Sequence, residues 1–303
     1  MKKLIIAAGT GFLGNVLVEH FKNKAETIVI LTRSKNKSIE NIKYVHWDAK
    51  TLGVWKQELD DADVLINMTG KSVDCRYHQK NKNLILSSRV DSTAVLGEAV
   101  LACKNPPKVW LNSSTATIYR HSLDKEMDEV NGEIGTGFSV DVATNWESVF
   151  FSHQTPKTRK VALRTSIVLG KNGGALQPIL NLVKIGFGGK QGKGNQKFSW
   201  IHEDDFARSL EFIIENSEIQ GPINIVAPKP TDNNGLMKTL RNATKTPFGI
   251  PLPKPLLEIG ARIIKTETEL ILKSRNVIPK KLQDSGFRFK HPNLTKALID
   301  LTS

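Results

Sequence analysis

A glycine-rich turn near the N-terminus constrains the fold of this chain more than any other sequence feature. Residues 8–14 read Ala-Gly-Thr-Gly-Phe-Leu-Gly, between a short apolar run over 3–8 and an amphipathic segment over 12–22. Glycine permits a tight bend and a close approach of the backbone to a ligand, and the free N–H groups at a helix start attract phosphate. The pattern therefore predicts a strand, a turn and a helix that bind a dinucleotide. We expect its pyrophosphate to be held by Gly9, Thr10, Gly11, Phe12, Leu13 and Gly14.

Short apolar runs alternate with longer helical patterns through the first 170 residues. The predicted strands cover 3–8, 27–32, 42–47, 63–67, 108–113 and 161–169. The predicted helices cover 12–22, 79–103 and 140–151, and a further helix over 203–215 precedes a strand over 222–226. Alternation of this kind predicts right-handed crossovers. The fold class is therefore α/β, with a doubly wound parallel Rossmann sheet.

The composition of the sequence changes after residue 170. Closely spaced glycines over 173–194 indicate loops, and the last 76 residues are richer in proline and basic residues, with a mostly helical pattern. We predict an NAD(P)-binding Rossmann domain over 1–170 with 203–227. Residues 171–202 and 228–303 then form a smaller, mostly helical C-terminal subdomain on the substrate side, closing over the edge of the sheet.

Charge and composition narrow the range of partners. The 43 Lys and Arg residues exceed the 30 Asp and Glu residues by 13, and residues 228–303 alone carry an excess of 8. No nucleic-acid-binding motif accompanies this charge, so we expect a solvated basic surface or a basic lid over an anionic ligand, and no nucleic acid partner. No apolar run reaches the roughly 18 residues that span a bilayer, and we expect no membrane partner.

The two cysteines bear on the cellular compartment and do not indicate a metal or redox site. Cys75 and Cys103 show neither a metal-binding nor a redox spacing. Their spacing is typical of ordinary residues in a reducing cytoplasm, and we expect a cytoplasmic protein without a metal. A homodimer is one assembly that the sequence leaves open.

The segment after the second predicted strand bears on the choice of cofactor. An acidic residue at this position would bind the ribose hydroxyls of NAD, but none occurs over 31–37. Instead the segment carries Arg33, Lys35 and Lys37. Arg33 is suited to a forked contact with a 2′-phosphate, which favours NADP, with NAD as the alternative. The competing interpretation is that these are surface charges of a basic protein.

Motifs along nearly the whole chain resemble those of the extended short-chain dehydrogenase/reductases. Trp47-Asp48 is similar to the family's adenine-side element, and Asn67-Met68-Thr69-Gly70 to its Asn-x-Ala-Gly turn. Ser88-Arg89-Val90 and Ser199-Trp200-Ile201-His202 are similar to its next helix and to its Trp-Ile-His segment. The tail resembles the NAD-dependent epimerase/dehydratase-like subgroup with a C-terminal domain of unknown function. The resemblance implies a Rossmann domain, a nicotinamide cofactor and a roofed cleft, and adds to the cofactor-binding residues Asp48, Thr69, Gly70 and Arg89.

One departure from the family lies in the turn itself. Ala8 stands where the family carries the first glycine of Gly-x-x-Gly-x-x-Gly. A methyl group there is tolerated only at a negative φ, because L-residues with a side chain avoid the left-handed region. The substitution therefore bears on cofactor affinity and not on the fold.

The larger departure is catalytic. In the family a Tyr transfers the proton, a Lys four residues later lowers the Tyr pKa, and a Ser polarises the substrate. Aligned through Trp146, these Tyr and Lys positions hold Ala143 and Glu147, and no Tyr-x-x-x-Lys occurs in the chain. The Ser position corresponds to Ser114, and Tyr119 lies just beyond it.

Two functions are compatible with this pattern. The first is an NADP-dependent oxidoreductase, epimerase or dehydratase acting on a small polar substrate, with nucleotide-linked compounds among the candidates. Ser114 would bind the substrate oxygen, and Tyr119 would act as a relocated acid/base. Glu147 would accept a hydrogen bond from a ribose hydroxyl. For Tyr119, the interpretation as a packed aromatic residue is an equal alternative. The second is a non-catalytic NADP-binding sensor or scaffold that has lost the Tyr/Lys pair. We favour the enzyme, because Ser114 and the framework of the cleft are retained.

Overall fold

An eight-stranded, mostly parallel sheet forms the centre of the computed structural model, which describes residues 1–263 and 267–303. The strands of the chain are β1 (Lys3–Ala7), β2 (Thr27–Thr32), β3 (Lys37–Ile39), β4 (Ile42–His46), β5 (Val64–Asn67), β6 (Val109–Thr115), β7 (Arg159–Thr165), β8 (Ile167–Gly170), β9 (Gly173–Gly174), β10 (Lys197–Phe198), β11 (Trp200–His202), β12 (Gly221–Ile225) and β13 (Thr231–Asp232). The sheet order is β12-β7-β6-β5-β1-β2-β4-β3, and only β3 runs antiparallel to its neighbour. The predicted α/β fold with a Rossmann sheet is confirmed.

Helices cover both faces of the sheet. They are α1 (Phe12–Phe21), α2 (Gln79–Ala102), α3 (Phe138–Ser152), α4 (Leu176–Leu182), α5 (Glu203–Glu215), α6 (Asn233–Ala243), α7 (Lys254–Ile263), α8 (Glu269–Leu272), α9 (Lys280–Asp284) and α10 (Leu294–Thr302). Leu17 of α1 and Phe206 of α5 belong to the core on one face. Leu96 of α2 and Phe150 of α3 belong to the core on the other face. Apolar strands buried on both faces follow from this double layer.

The sixth predicted strand is in fact two strands with different partners. The prediction of one strand over 161–169 is wrong, because β7 ends at Thr165 and β8 begins at Ile167. The Ser166 N–H donates to the Ile225 carbonyl, and β8 then leaves the main sheet to pair with β9 and β11. This departure is driven by tertiary pairing that the continuous apolar run does not reveal.

The last part of the chain lies against loops at the carboxyl edge of the sheet. Helices α6 and α10 share a core of their own with α4 and Trp200. The stretch after α8 crosses the loop that follows β6, where the Met127 N–H donates to the Asn276 carbonyl over 2.7 Å. Glu267 accepts a hydrogen bond from the Tyr77 N–H, in the loop that follows β5. The mostly helical character is as predicted, whereas the division into two domains stays a prediction. Within the described ranges, no helix has the length and apolarity needed to cross a membrane.

The glycine turn yields a first prediction, on stability. We expect Gly14→Ala to lower the free energy of unfolding by about 1–3 kcal/mol, because the added methyl group would overlap the backbone of Gly9. This clash outweighs the roughly 1 kcal/mol that alanine gains over glycine inside a helix. Gly11→Ala is the matched control, since a methyl group there meets no atom within 4 Å and should cost less than about 1 kcal/mol. Urea denaturation measures both, and equal midpoints for the two variants would contradict the prediction.

Candidate active site

The turn between β1 and α1 forms an open anion-binding corner. Gly11 precedes the helix with φ −87°, and no side chain caps the first N–H groups of α1. Thr10 and Gly11 are exposed, whereas Gly14 is buried directly against Gly9. Leu13 packs on the core, so one side of the helix start is attached to the protein interior and the other side is open to solvent. The free N–H groups and the helix dipole there suit a phosphate.

Ala8 adopts a strained conformation in this turn. Its φ is +60°, in the left-handed region where a methyl group is poorly tolerated. The Ala8 N–H donates to the Leu31 carbonyl over 2.9 Å, which ties the residue to β2. For a residue with a side chain this conformation costs roughly 1–2 kcal/mol. The turn therefore carries strain at the position where the family has glycine.

Phe12 links the turn to the neighbouring small sheet. Its ring lies against Gly170, Gly173 and Gly174, where an added methyl group would overlap it. These glycines belong to the hairpin of β8 and β9, which branches from the main sheet. The contact explains why the hairpin carries glycine and places Phe12 as a packing residue beside the anion-binding corner.

The loop after β2 presents two cations to solvent, Arg33 and Lys35. Arg33 is exposed, and His46 holds the loop by donating its N–H to Asn36 Oδ1 over 2.6 Å. Lys37 is turned away, with its ammonium 4.5 Å from the centre of the Tyr44 ring. Arg33 is thus placed at the end of β2, next to the end of β1, where a 2′-phosphate would lie in this fold.

Asp48 stabilises a turn. Its side chain accepts hydrogen bonds from the Thr51 hydroxyl over 2.6 Å and from the N–H groups of Thr51 and Lys50 over 2.9 Å. These bonds, led by that of the Thr51 hydroxyl, lower the pKa of Asp48 to about 2. Asp48 is exposed, and its carboxylate organises this turn.

The turn after β5 contains a hydroxyl that lacks a protein partner. The Thr69 N–H donates to Asn67 Oδ1 over 3.0 Å, which orients the turn. The Thr69 hydroxyl oxygen is buried, and no group in the described part of the chain bonds to it. Buried polar atoms are nearly always hydrogen-bonded. This hydroxyl lies at the carboxyl edge of the sheet, near the anion-binding corner. The residues present therefore fit a dinucleotide along this edge.

Arg89 closes the other side of the same turn. Its guanidinium lies against Gly70, where a methyl group would come within 3.0 Å of it. It donates to the carbonyls of Lys71 and Ile85 and lies 5.1 Å from the centre of the Trp146 ring. Burial lowers the pKa of Arg89 to about 10, which leaves it charged at neutral pH. Arg89 thus fixes the Gly70 turn against α2.

Ser114, Glu147 and Arg164 form a buried polar network at the place of the missing dyad. The Ser114 hydroxyl donates to Glu147 Oε1 over 2.6 Å. Arg164 binds both carboxylate oxygens, with Nε 2.8 Å from Oε1 and Nη2 2.7 Å from Oε2. Burial opposes the charged guanidinium, but the hydrogen bonds and charge of Glu147 raise the pKa of Arg164. A bidentate pair of this geometry fixes the carboxylate rigidly.

Tyr119 extends this network to Asn224 of β12. Its side chain is only 2% exposed, and its hydroxyl donates to Asn224 Oδ1 over 2.9 Å and accepts from Arg164 Nη1 over 3.0 Å. Burial raises the pKa of Tyr119, although Arg164 opposes the shift. The structure thus joins Ser114, Glu147 and Tyr119 through Arg164. It favours the packed aromatic among the two interpretations of Tyr119.

His202 has a structural environment. Its Nδ1 accepts from the Asp204 N–H over 3.0 Å and caps α5, and its Nε2 lies 3.2 Å from Asp300. Its ring stacks on His291 with centres 3.7 Å apart and planes 11° apart. Burial and the neighbouring His291 lower the pKa of His202. In-plane lone pairs of parallel rings do not converge, so this cluster is a poor cage for one metal ion.

Arg164, Asn224, Lys273 and Arg275 were not assigned roles from the sequence. Lys273 Nζ donates to the Thr117 carbonyl over 2.8 Å, and Arg275 Nε to the Thr117 hydroxyl over 3.1 Å. Burial, with Arg275 beside it, lowers the pKa of Lys273 to about 8. For Lys273 and Arg275 the available signal was the basic excess of residues 228–303.

Comparisons with known proteins agree with the geometry. Residues 4–226 match the NAD dependent epimerase/dehydratase family, and residues 252–301 match a domain of unknown function, DUF1731. An epimerase family protein of Staphylococcus aureus (strain MRSA252) is 34% identical over 308 residues, covering 100% of both chains. The crystal structure of human epimerase family protein SDR39U1 (isoform 2) with NADPH is similar with a TM-score of 0.86, at 27% identity over 99% of each chain.

A more distant structure shares the fold. The UDP-glucuronic acid 4-epimerase of Bacillus cereus, in complex with UDP-glucuronic acid and NAD, has a TM-score of 0.76 at 14% identity, over 99% of this chain and 98% of its own. The resemblance to extended short-chain dehydrogenase/reductases, and to the subgroup with the additional C-terminal domain, is thereby confirmed.

The buried network yields a prediction for a double-mutant cycle. Arg164→Met and Glu147→Gln should each lower the free energy of unfolding by about 3–5 kcal/mol, because each leaves the other charge buried without a partner. The combined variant should lose much less than the sum of the two. Urea denaturation of the four proteins measures the coupling. Strictly additive losses would contradict a coupled pair.

Proposed function

The chain belongs to the NAD dependent epimerase/dehydratase family, and from this premise we propose that it is an NADP-dependent enzyme of the extended short-chain dehydrogenase/reductase type. Its substrate is a small polar anion, and its reaction uses Ser114 and Glu147 in place of the Tyr/Lys pair. The observation that carries the proposal is the 2.6 Å hydrogen bond from Ser114 to Glu147 at the position of the missing dyad.

The cofactor-binding residues lie along one edge of the sheet. The turn over 9–14 would bind the pyrophosphate through its free N–H groups, and the buried Thr69 hydroxyl would gain the partner it lacks. Arg33 would bind a 2′-phosphate, which supports NADP over NAD. The similar human protein was crystallised with NADPH, which agrees with this choice. A bound nicotinamide accepts or supplies a hydride.

Ser114 and Glu147 would handle the proton of the substrate hydroxyl. The Ser114 proton is directed at Glu147, so the Ser114 oxygen is free to accept a hydrogen bond from the substrate. As the hydride leaves the substrate carbon, the hydroxyl proton passes to Ser114 and the Ser114 proton passes to Glu147. The products are a carbonyl compound and a protonated Glu147 side chain, with the hydride taken up by the cofactor, and the reverse reaction returns both. Arg164 keeps the Glu147 side chain in position.

Tyr119 would act as a positioning residue. Its hydroxyl already donates one hydrogen bond and accepts another, which leaves its single proton engaged with Asn224. Its raised pKa adds to the cost of releasing this proton. Tyr119 therefore orients Arg164, and through it Glu147, without touching the substrate.

Two cations support an anionic substrate. Lys273 and Arg275 both donate to Thr117, which lies three residues beyond Ser114 on the chain. The B. cereus enzyme, which shares the fold, binds a nucleotide sugar, whose diphosphate is such an anion. An anionic group held here would lie beside the proposed proton acceptor.

One observation supports the second candidate function, a non-catalytic NADP-binding protein. The charge of Glu147 is already balanced by Arg164 inside the protein. A network built solely for packing would use the same contacts. Turnover separates the two functions, because a binding protein would retain the cofactor and show none.

Cofactor preference can be tested at Arg33. Wild-type protein should bind NADPH more tightly than NADH, and Arg33→Ala should reduce this preference by roughly tenfold or more, since a charge-assisted contact of about 1.5–3 kcal/mol is lost. Lys37→Ala is the control, because Lys37 faces Tyr44. Isothermal titration with both cofactors gives the ratio. Equal affinity of the wild type for the two would refute the choice of NADP.

Catalysis can be tested by comparing two hydroxyls of the same network. On a panel of carbonyl compounds with NADPH and of sugar nucleotides with NADP⁺, Ser114→Ala should lower kcat by roughly 10²–10⁴, because the group that relays the proton to Glu147 is lost. Tyr119→Phe should change stability more than kcat. NADPH absorbance falls as carbonyl compounds are reduced and rises as sugar nucleotides are oxidised, and NADPH titration of each variant controls for cofactor binding. Equal kcat of Ser114→Ala and wild type would remove Ser114 from the mechanism.

A further inference from the structure

A group of large apolar side chains is exposed on the C-terminal part of the chain, away from the polar network. Ile185, Phe248 and Ile259 are 69%, 61% and 55% exposed. Scattered single apolar residues are ordinary on a protein surface, but a contiguous group indicates a site of interaction. We call this group the apolar patch, and its members are Ile185, Phe187, Phe248, Ile250, Leu256 and Ile259.

Backbone contacts hold the members of the apolar patch together. The Ile250 N–H donates to the Gly186 carbonyl over 2.8 Å, and the Leu252 N–H to the Lys190 carbonyl over 2.9 Å. The Phe248 ring lies directly beside Gly186, where a methyl group would come within 3.2 Å of it. Helix α7 begins two residues after Leu252. The segments that carry Ile185, Phe187, Phe248 and Ile250 are therefore neighbours, and α7 follows them directly along the chain.

Helix α7 presents apolar side chains on two sides. Leu257 and Ala261, one turn apart, are buried and attach the helix to the protein. Leu256 and Ile259 are exposed and also lie one turn apart. A helix that served only to cover the core would carry polar residues at these two positions. The solvent-facing side of α7 is thus suited to contact with an apolar environment outside the protein.

The charge around the apolar patch is strongly positive. Residues 183–193 and 241–262 contain seven Lys and Arg residues and one acidic residue, Glu258. Six of these cations are exposed: Lys184, Lys190, Lys193, Lys245, Lys254 and Arg262. Among the described residues, only Lys254 has an acidic neighbour there, with Glu258 3.9 Å away. The surface therefore combines apolar side chains with uncompensated positive charge, within the residues that the structure describes.

We propose that the apolar patch and its cations dock the protein onto an anionic phospholipid surface. Apolar side chains enter the boundary between headgroups and acyl chains, while Lys and Arg bind lipid phosphates. A second copy of the chain fits less well, because a two-fold pairing would oppose these cations to one another. An acidic protein partner also fits less well, because its carboxylates would face the exposed apolar side chains, which need an environment without water. The sequence predicted no membrane partner because it lacks a membrane-spanning segment. This proposal revises that expectation only for binding at the membrane surface.

Vesicle binding tests the proposal. The full-length protein should co-sediment with vesicles of phosphatidylglycerol and phosphatidylcholine at low salt, and the binding should weaken as salt rises. Phe248→Ser/Ile259→Ser and Lys184→Gln/Arg262→Gln should each weaken it by at least about tenfold. Val54→Ser/Leu101→Ser and Lys56→Gln/Lys80→Gln are matched controls at exposed positions elsewhere, and these should bind as the wild type does.

Three outcomes would overturn the proposal. The first is no sedimentation with the anionic vesicles, and the second is undiminished binding by both patch variants. The third is a dimer in sedimentation velocity that the patch variants dissociate, which would assign the surface to a second copy. Unchanged NADPH titration and thermal unfolding of the variants exclude misfolding, so loss of vesicle binding reports on the patch alone.

Discussion

The bidentate ion pair between Glu147 and Arg164 is the interaction on which the rest of the site depends. Two buried charges are stable together only when their geometry is good and their remaining hydrogen-bonding groups are satisfied. Ser114 and Tyr119 supply those bonds, so the pair joins α3 to β6 and β7, and through Asn224 to β12. The opposite charges cancel, so this position is electrically neutral where the family's dyad carries a Lys cation.

The parallel sheet brings this network and the glycine turn to one edge. Strands β1, β5, β6 and β7 all run in the same direction, so the residues that follow or end them face a common cleft. Close packing of Gly14 on Gly9 fixes how α1 leaves that edge, and Phe12 fixes the adjoining hairpin. The C-terminal part then adds Lys273 and Arg275 from above. The site is thus the meeting point of local turn chemistry and long-range strand order.

The sequence predicts those parts of the fold that local patterns determine. Strand β2 and helix α5 have the predicted bounds, since apolar periodicity and flanking breakers define them. The left-handed backbone of Ala8 runs against the local preference of alanine, and its N–H is bonded to Leu31 on another strand. The split after Thr165 likewise depends on partners distant in the chain.

The candidate site divides in the same way. Ser114 and Glu147 could be placed by their spacing from family motifs, but the partner of Glu147 could not, because Arg164 is 17 residues away on another element. The sequence also left the burial of Tyr119 open, since one aromatic residue in a loop packs inward or outward with equal ease. Lys273 meets Thr117 across 156 residues, and no local pattern encodes such a contact.

The ion pair also restricts the paths by which this lineage could evolve. A single change of Glu147 to Lys would set two cations side by side in a buried site, and a single change of Arg164 would strand a carboxylate there. Ala143, at the position aligned with the family's Tyr, is fully buried, so a larger ring there would overpack its surroundings. Each single change toward the standard dyad is therefore expected to be destabilising while the other two residues stay as they are. This dependence of one position on another is epistasis, and a chain that retains Arg164 is held to a carboxylate at position 147.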